Sequence, residues 1–512
     1  MLSQRSTGIL LHITSLPSHG GIGDLGPAAH EFAEFLGAAK QSLWQVLPLA
    51  PAGIGNSPYS ATSAFAGNVL FVSLERLAER GLISKAKVAA MHDSVGNIDY
   101  PRVTAEKMPL LNEAARNFIR DAAGEDRTRY ERFKWDNGWW LEDFALYDVL
   151  RCRYQGESWN RWPREFAHRE PEALTRLSEE CAEEIEIVRF LQFAFMEQWR
   201  ALHAHCKKLG IHIIGDIAIF VSYDSSDVWT HPGLFQLDAD LEPEVVAGVP
   251  PDAFSTTGQR WGNPLYRWDV LRDSGYDWWI QRAKFALLYC DIIRLDHFRG
   301  FHQCWEIPAS APTAVNGRWV DGPRDDLFLA MRNSLGDLPF IAEDLGYITQ
   351  GVHEMRDRLQ MPGMRVLQFG FGDPGAHIYL PHRYPENTVV YTGTHDNDTT
   401  VGWWEKCGDY VRSHARAYLG EPTDGIAWAM IRAAEDSPAR FCIVPLQDVL
   451  GLGSEARMNL PSSNNDGNWA WRVGRGALTP QVAEKLALLV ESSDRLPVRP
   501  DSDEEIAEYF VV

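Results

Sequence analysis

The stretch DIIRLDHF (291–298) shows the pattern from which the fold of this chain is predicted. It is a short apolar run, typical of a buried β-strand, with charged and polar residues at its carboxyl end. Seven more runs of this kind lie at 8–13, 43–49, 212–220, 339–346, 364–371, 388–396 and 441–446. Helical segments such as 27–39 and 181–209 separate several of them. The pattern predicts an α/β fold and favours a (β/α)8 TIM-type barrel over an open doubly wound sheet, which looks similar in sequence.

Two intervals between predicted strands are too long to be simple loops, so each is expected to have structure of its own. Residues 60–180 are helix-like and rich in aromatic residues, which predicts an inserted, mostly helical subdomain. Residues 221–290 form a second predicted insertion, whose Pro/Gly-rich stretch 248–264 is expected to be a substrate-binding loop. The barrel itself is then predicted to comprise residues 1–59 and 181–512.

Composition excludes several classes of partner. The net charge is −21, from 70 acidic and 49 basic residues, which argues against binding to nucleic acid or to an anionic membrane. A neutral ligand such as a sugar would be indifferent to this charge. The chain has seven cysteines without a CxxC or a metal-ligand spacing, which predicts reduced thiols and no metal site. With no signal-like or membrane-spanning stretch either, a cytoplasmic protein is expected.

Four acidic residues share one position relative to the predicted strands. Asp216, Asp296, Glu343 and Asp396 all lie near the carboxyl ends of apolar runs. Burying a carboxylate costs several kcal/mol, and the carboxyl ends of barrel strands meet at one face, where catalytic residues are found. Any one of these acids alone could be a helix cap or a loop residue. Together they predict a shared site.

The spacing of these residues suggests different roles for two of the acids. Arg294 and Asp296 are two residues apart on one strand, so their side chains point the same way, and the guanidinium would keep Asp296 ionised as a nucleophile. The negative charge of Asp296 would raise the pKa of Glu343, which could then hold a proton near neutral pH. This is the logic of a retaining glycoside-cleaving enzyme. Asp396 could hold sugar hydroxyls or stabilise positive charge at the sugar.

The stretch GIGDLG (21–26) suggests a competing hypothesis, because it matches the GxGxxG pattern of dinucleotide-binding folds. However, residues 17–19 separate these glycines from the preceding strand, so the turn is not tight. The next strand also ends without the acidic residue that would bind a ribose. A loop at the catalytic face of a barrel is the preferred interpretation, and no cofactor is predicted.

Several motifs resemble those of one known family. IIGDIAIFV (213–221), IIRLDHFRGF (292–301), IAEDLG (341–346) and YTGTHDNDT (391–399) are similar to the strand-end motifs of 4-α-glucanotransferases, also called amylomaltases or disproportionating enzymes. GILLHITSLPS (8–18), NSPYS (56–60) and GQRWGNP (258–264) resemble that family too, and the similarity runs from about residue 7 to residue 472. The family belongs to the α-amylase clan.

The resemblance implies a (β/α)8 barrel with inserted subdomains, no required cofactor, and specific roles for residues of this chain. Asp296 would be the nucleophile, Glu343 the acid/base and Asp396 the stabiliser of the transition state. The implied substrate-binding residues are Tyr59, Asp216, Asp252, Gln259, Trp261, Arg294, His297, His395, Ser57 and Asn468. This chain departs from the family pattern after Arg457-Met-Asn459, where residues 460–466 form a longer run. The subsite near Asn468 is therefore expected to differ in shape.

The resemblance further implies transfer of α-1,4-glucan segments to the 4-hydroxyl of glucose or of another α-1,4-glucan by a retaining double displacement. The three acids alone do not distinguish transfer from hydrolysis, so an α-amylase-type α-1,4-glucan hydrolase is the alternative. A catalytically inactive glucan-binding protein is an alternative of another class, disfavoured because all three acids are present.

Overall fold

The computed structural model describes residues 4–251, 255–372, 374–463 and 467–497. The β-strands in these ranges are β1 (Ser6–Leu10), β2 (Leu43–Gln45), β3 (His212–Ala218), β4 (Val245–Val249), β5 (Gln259–Pro264), β6 (Ile292–Asp296), β7 (Gln303–Pro308), β8 (Arg318–Asp321), β9 (Phe340–Ala342), β10 (Gly363–Val366), β11 (Thr388–Tyr391) and β12 (Phe441–Pro445). Strands β1, β2, β3, β6, β9, β10, β11 and β12 are parallel and close into a barrel in this order. The predicted barrel is thus confirmed.

The strands are shorter than the apolar runs that predicted them. The run 388–396 leaves the sheet after Tyr391, and the run 339–346 leaves it after Ala342. The residues that follow are more polar and only partly buried, and one main-chain hydrogen bond, from the N–H of Glu343 to the carbonyl of Leu295, continues the contact with β6. The acidic residues at the ends of both runs therefore lie in loops above the barrel.

Helices surround the barrel and fill the long intervals. They are α1 (Pro27–Ala38), α2 (Leu74–Glu79), α3 (Lys85–Ala89), α4 (Tyr100–Asp121), α5 (Gly124–Arg153), α6 (Arg164–Ala167), α7 (Pro171–Glu180), α8 (Ala182–Lys208), α9 (Ser226–Thr230), α10 (Trp268–Asp273), α11 (Asp277–Tyr289), α12 (Arg299–His302), α13 (Asp325–Leu335), α14 (Gln350–Arg358), α15 (Thr400–Lys406), α16 (Asp409–Leu419), α17 (Ile426–Glu435), α18 (Leu446–Val449) and α19 (Pro480–Ser492). Within the described ranges, none of these helices is both long enough and apolar enough to cross a membrane.

The two long intervals differ in structure. Helices α2 to α7 occupy much of the interval 60–180, and the long helices α4 and α5 pack on α8. The second interval contributes β4 and β5 to a four-stranded antiparallel sheet of order β5-β4-β7-β8. Part of the predicted loop 248–264 is therefore strand, because Val245–Val249 pairs with β7, which follows β6 in the chain. The division of the chain into domains remains a prediction.

The glycine-rich segment 21–26 is held by close packing and by a buried ion pair. A Cβ atom at Gly23 would lie 1.8 Å from the carbonyl oxygen of Ile13, so only glycine fits there. Asp24 is buried and lies 3.4 Å from Nζ of the buried Lys107 on α4, which also donates to the carbonyl of Leu70 at 2.7 Å. The pair ties the helical insertion to the loop that follows β1.

Replacing Lys107 with leucine is expected to lower the free energy of unfolding by about 3 kcal/mol, since it leaves the carboxylate of Asp24 buried without its cation. Urea-induced unfolding measures the change. Lys87→Leu is the matched control, because Lys87 pairs with Glu113 at the surface and should change stability by less than about 0.5 kcal/mol. Equal effects of the two substitutions would contradict this account of the buried pair.

Candidate active site

The four acidic residues singled out in the sequence lie at the carboxyl ends of barrel strands. Asp216 is near the end of β3, Asp296 is the last residue of β6, Glu343 directly follows β9, and Asp396 lies in the loop after β11. Strands β3, β6 and β9 are adjacent in the barrel, with Asp216 opposite Arg294 across the β3–β6 pair. The backbone therefore brings the first three acids to neighbouring positions.

Arg294 lies between two carboxylates. Its Nη1 is 2.6 Å from Oδ2 of Asp216, and its Nη2 is 2.8 Å from Oδ1 of Asp296. The hydroxyl of Tyr59 donates to the same Oδ2 of Asp216 at 2.7 Å. Burial raises the pKa of Asp216 to about 6, with Arg294 opposing the shift, so this carboxyl is ionised at neutral pH. Arg294 and Asp216 are buried, whereas the side chain of Asp296 is 29% exposed and open to a ligand.

Glu343 is held by two main-chain donors. The N–H of His297 donates to its Oε2 and the N–H of Leu345 to its Oε1, both at 2.8 Å. Burial raises the pKa of Glu343 to about 7; the charge of Asp296 adds to the rise, and Arg294 and the two N–H groups oppose it. The direction agrees with the prediction from sequence, but burial is a larger cause than the charge of Asp296. A proton on Glu343 is therefore available near neutral pH.

His297, which directly follows β6, adopts an unusual backbone conformation. Its φ is +51°, in the left-handed region that non-glycine residues rarely occupy, and this turn accompanies the hydrogen bond from its N–H to Glu343. Burial lowers the pKa of its imidazole to about 4, so the ring is neutral at neutral pH. The ring of Trp261 is nearly perpendicular to this ring, with the two centroids 4.8 Å apart, and Nε1 of Trp261 donates to Oε1 of Gln259.

Asp396 is held by a segment that comes from after β12. Nδ2 of Asn459 donates to its Oδ1 at 2.6 Å, and Arg457 donates to its carbonyl at 2.5 Å. Nε2 of His395 is 3.4 Å from the same Oδ1. The Asp396 side chain is 46% exposed, so it is fixed on one side and accessible to a ligand on the other.

Stacked rings connect Asp396 with the Arg294 cluster. The rings of Tyr59 and His395 are stacked with their centroids 5.2 Å apart and an interplanar angle of 16°. The centroid of the Trp469 ring lies 5.9 Å from each of these centroids. Oγ of Ser57 accepts the N–H of Tyr59 at 3.3 Å. Tyr59 therefore contacts Asp216 through its hydroxyl and His395 through its ring.

Most of the predicted site residues are joined by these contacts. One group of connected residues comprises Ser57, Tyr59, Asp216, Arg294, Asp296, His395 and Asp396. A second group comprises Gln259, Trp261, His297 and Glu343, and it adjoins the first because His297 directly follows Asp296. The side chain of Asn468 instead hydrogen-bonds within its own turn, to Leu460 and Ser463. Asp252 lies outside the described residues. The catalytic and substrate-binding roles of all these residues stay predictions.

Comparisons with known proteins find similarity over most of the chain. A sequence model of the 4-alpha-glucanotransferase family matches residues 11–478. The 4-alpha-glucanotransferase of Thermus thermophilus is 47% identical over 500 residues, covering 96% of this chain and 99% of that protein. The chloroplastic/amyloplastic 4-alpha-glucanotransferase of Solanum tuberosum is 42% identical over 477 residues, covering 92% and 82%. The structure of amylomaltase from Streptococcus agalactiae in complex with acarbose has a TM-score of 0.93 at 36% identity, covering 96% of this chain and 100% of that one.

This chain belongs to the 4-alpha-glucanotransferase family. The resemblance inferred from the strand-end motifs is thereby confirmed over most of the chain. The fold of a family member agrees as well, since the Streptococcus agalactiae amylomaltase covers nearly the whole of the barrel and its insertions.

Three further residues of this site were not predicted from the sequence. Arg457 and Asn459 hold Asp396, and Trp469 packs against Tyr59 and His395. Asn459 is 63 residues from Asp396 in the chain, so spacing does not reveal the contact. The available signal was that polar residues flank the apolar Met458; in the structure both are half-buried, and such side chains usually have hydrogen-bond partners.

Replacing Asn459 with aspartate is expected to lower glucan turnover at neutral pH, because two carboxylates would face each other where an amide now donates. Protonation of either carboxyl at lower pH restores a donor, so the activity relative to the unsubstituted chain should recover as the pH falls. A pH profile of kcat measures this.

Asn117→Asp is the matched control, since Asn117 is a half-buried asparagine that donates to the carbonyl of Leu82, away from the site. An Asn459→Asp profile parallel to that of the control would contradict the role assigned to Asn459.

Proposed function

We propose that this chain transfers α-1,4-glucan segments from a donor chain to the 4-hydroxyl of glucose or of another α-1,4-glucan. Membership of the 4-alpha-glucanotransferase family supports the reaction. The observation that carries the proposal is the pair formed by Asp296, bound to Arg294, and Glu343, whose pKa is raised by burial to about 7. This pair supplies a nucleophile and a proton donor at the same pH.

In the first step, a carboxylate oxygen of Asp296 attacks the anomeric carbon of the donor sugar. Glu343 transfers its proton to the glycosidic oxygen, whose bond to that carbon breaks, and the reducing-end part of the donor leaves. The remaining segment becomes an ester of Asp296, and Glu343 becomes a carboxylate. Arg294 binds the carboxylate of Asp296 at 2.8 Å, and the raised pKa of Glu343 favours its protonated form before the step.

In the second step, the carboxylate of Glu343 accepts the proton of an acceptor 4-hydroxyl. The acceptor oxygen attacks the anomeric carbon and releases Asp296. Two inversions at that carbon retain the α configuration. Water can replace the acceptor chemically, so transfer requires that the acceptor sugar excludes water from this position.

Asp396 is the proposed stabiliser of the positively charged transition state. Its partly exposed carboxylate, held by Asn459, suits this role because it is oriented before the sugar binds. The proposed substrate-binding residues are Ser57, Tyr59, Asp216, Asp252, Gln259, Trp261, Arg294, His297, His395 and Asn468. Trp261 offers a ring that is 39% exposed, and the neutral His297 can hydrogen-bond a sugar hydroxyl.

We place the reaction in the cytoplasm. The seven cysteines are unpaired, and five of them are buried, as expected for a protein kept in a reducing compartment. The plant relatives are named chloroplastic/amyloplastic, so the compartment differs within the family.

Incubation of the chain with maltotriose tests transfer directly. We expect a ladder of longer oligosaccharides together with free glucose, while the total number of reducing ends stays constant. Chromatography of the products and a reducing-end assay measure both quantities. Only shorter products with steadily rising reducing ends would replace the proposal with an α-amylase-type hydrolase.

Asp296→Asn and Glu343→Gln are each expected to lower kcat by at least about a hundredfold while the fold persists, because each removes a group that changes its bonding in the reaction. Initial rates on maltotriose and circular dichroism measure the two properties. Glu306→Gln is the matched control: Glu306 is a buried glutamate paired with Arg318 outside this network, and its loss should leave kcat nearly unchanged. Near-normal turnover by either catalytic variant would refute its assigned role.

A further inference from the structure

The loop that carries Glu343 ends at an exposed aromatic residue. The N–H of Leu345 binds the Glu343 carboxylate, Gly346 follows with φ +86°, and the next residue, Tyr347, is 75% exposed. The left-handed conformation of Gly346, which other residues rarely adopt, turns the chain so that Tyr347 lies at the surface. The acid/base and the exposed ring therefore belong to one short structural unit.

A buried arginine fixes this unit against the nucleophile strand. Arg299 is three residues after Asp296, and its guanidinium donates to the carbonyl of Tyr347. The guanidinium carbon lies 3.7 Å from the centroid of the Trp319 ring and 5.8 Å from that of the Tyr347 ring. Arg299 is only 4% exposed. The position of Tyr347 is thus set by Arg299, which follows the strand that carries Asp296.

The exposure of Tyr347 is not explained by packing. A ring that is three-quarters exposed buries little apolar surface and adds little to stability. Tyr347 is four positions after Glu343 in the chain, so its Cα is within about 14 Å of the Cα of the acid/base. That distance corresponds to a few sugar units of a bound chain. Tyrosine offers a flat apolar face and a polar tip at low entropic cost, which suits contact with a sugar ring.

We propose that Tyr347 is a stacking platform for a glucosyl unit beyond the sugar that contacts the carboxylates. This proposal rests on the proposed function of Asp296 and Glu343. The ring then contributes to binding only when the glucan is long enough to reach it. Tyr347 is therefore a residue that sets the preference of the enzyme for chain length.

The test compares kcat and KM on maltotriose through maltoheptaose for Tyr347→Ala, Tyr347→Phe and Tyr347→Trp. For Tyr347→Ala we expect kcat/KM to fall about tenfold on the longer substrates, mostly through KM, and much less on maltotriose. The Phe and Trp variants keep a flat ring and should retain the length preference. Tyr410→Ala, at a 62% exposed tyrosine on α16, is the matched control and should match the unsubstituted chain on every substrate.

Unchanged kcat/KM of Tyr347→Ala on all lengths would overturn the inference, and so would an equal loss on all lengths. If Tyr347→Ala does not fold, loss of the length preference in both folded ring-retaining variants would overturn it as well. Failure of the proposed function has a different signature: the unsubstituted chain would not elongate maltotriose, or Glu343→Gln would remain active. Both are measured without any change at Tyr347.

Discussion

The buried guanidinium of Arg294 is the charge on which the rest of the site depends. It contacts Asp216 and Asp296, and the hydroxyl of Tyr59 donates to the same oxygen of Asp216 as Arg294 does. Burial alone would lower the pKa of Arg294, but the two carboxylates raise it well above its ordinary value. A cation buried in this way is stable only while anions surround it, and each anion is costly without the cation. The side chains of Arg294, Asp216 and Asp296 therefore form a single electrostatic unit at the ends of the adjacent strands β3 and β6.

Asp296 and Glu343 differ in their exposure and in their contact with Arg294. Asp296 binds Arg294 directly and is partly exposed, whereas Glu343 is enclosed and its pKa rises to about 7 because burial outweighs the attraction of Arg294. The two N–H groups that hold Glu343 keep its oxygens in place in either protonation state. The barrel makes this possible because β6 and β9 are neighbours, so residues far apart in the chain lie side by side.

The sequence allowed the barrel and the acidic positions to be predicted, because both depend on local pattern. Apolar runs mark the strands, and Asp296 and Glu343 stand where such runs end. The antiparallel sheet was not predicted, since the pairing of Val245–Val249 with β7 joins segments on either side of β6. The support of Asp396 by Asn459 was missed for a similar reason: the contact bridges two separate barrel loops and has no periodicity. Local signals thus located the carboxylates to which we assign the reaction but not the groups that hold them.

Arg294 also explains how the site tolerates a change of charge during the proposed reaction. Before the first step the anions near it are Asp216 and Asp296. When Asp296 becomes an ester, Glu343 has given up its proton, so one negative charge moves from Asp296 to Glu343 and none is lost. The positive charge of Arg294 interacts with both residues, so a negative charge on one or the other balances it throughout the reaction. The same exchange removes the neighbouring charge that helped to keep Glu343 protonated, which lowers its pKa, and the N–H groups of His297 and Leu345 stabilise the new carboxylate. A fixed guanidinium with two alternating carboxylates can therefore serve both steps without movement of the strands that carry them.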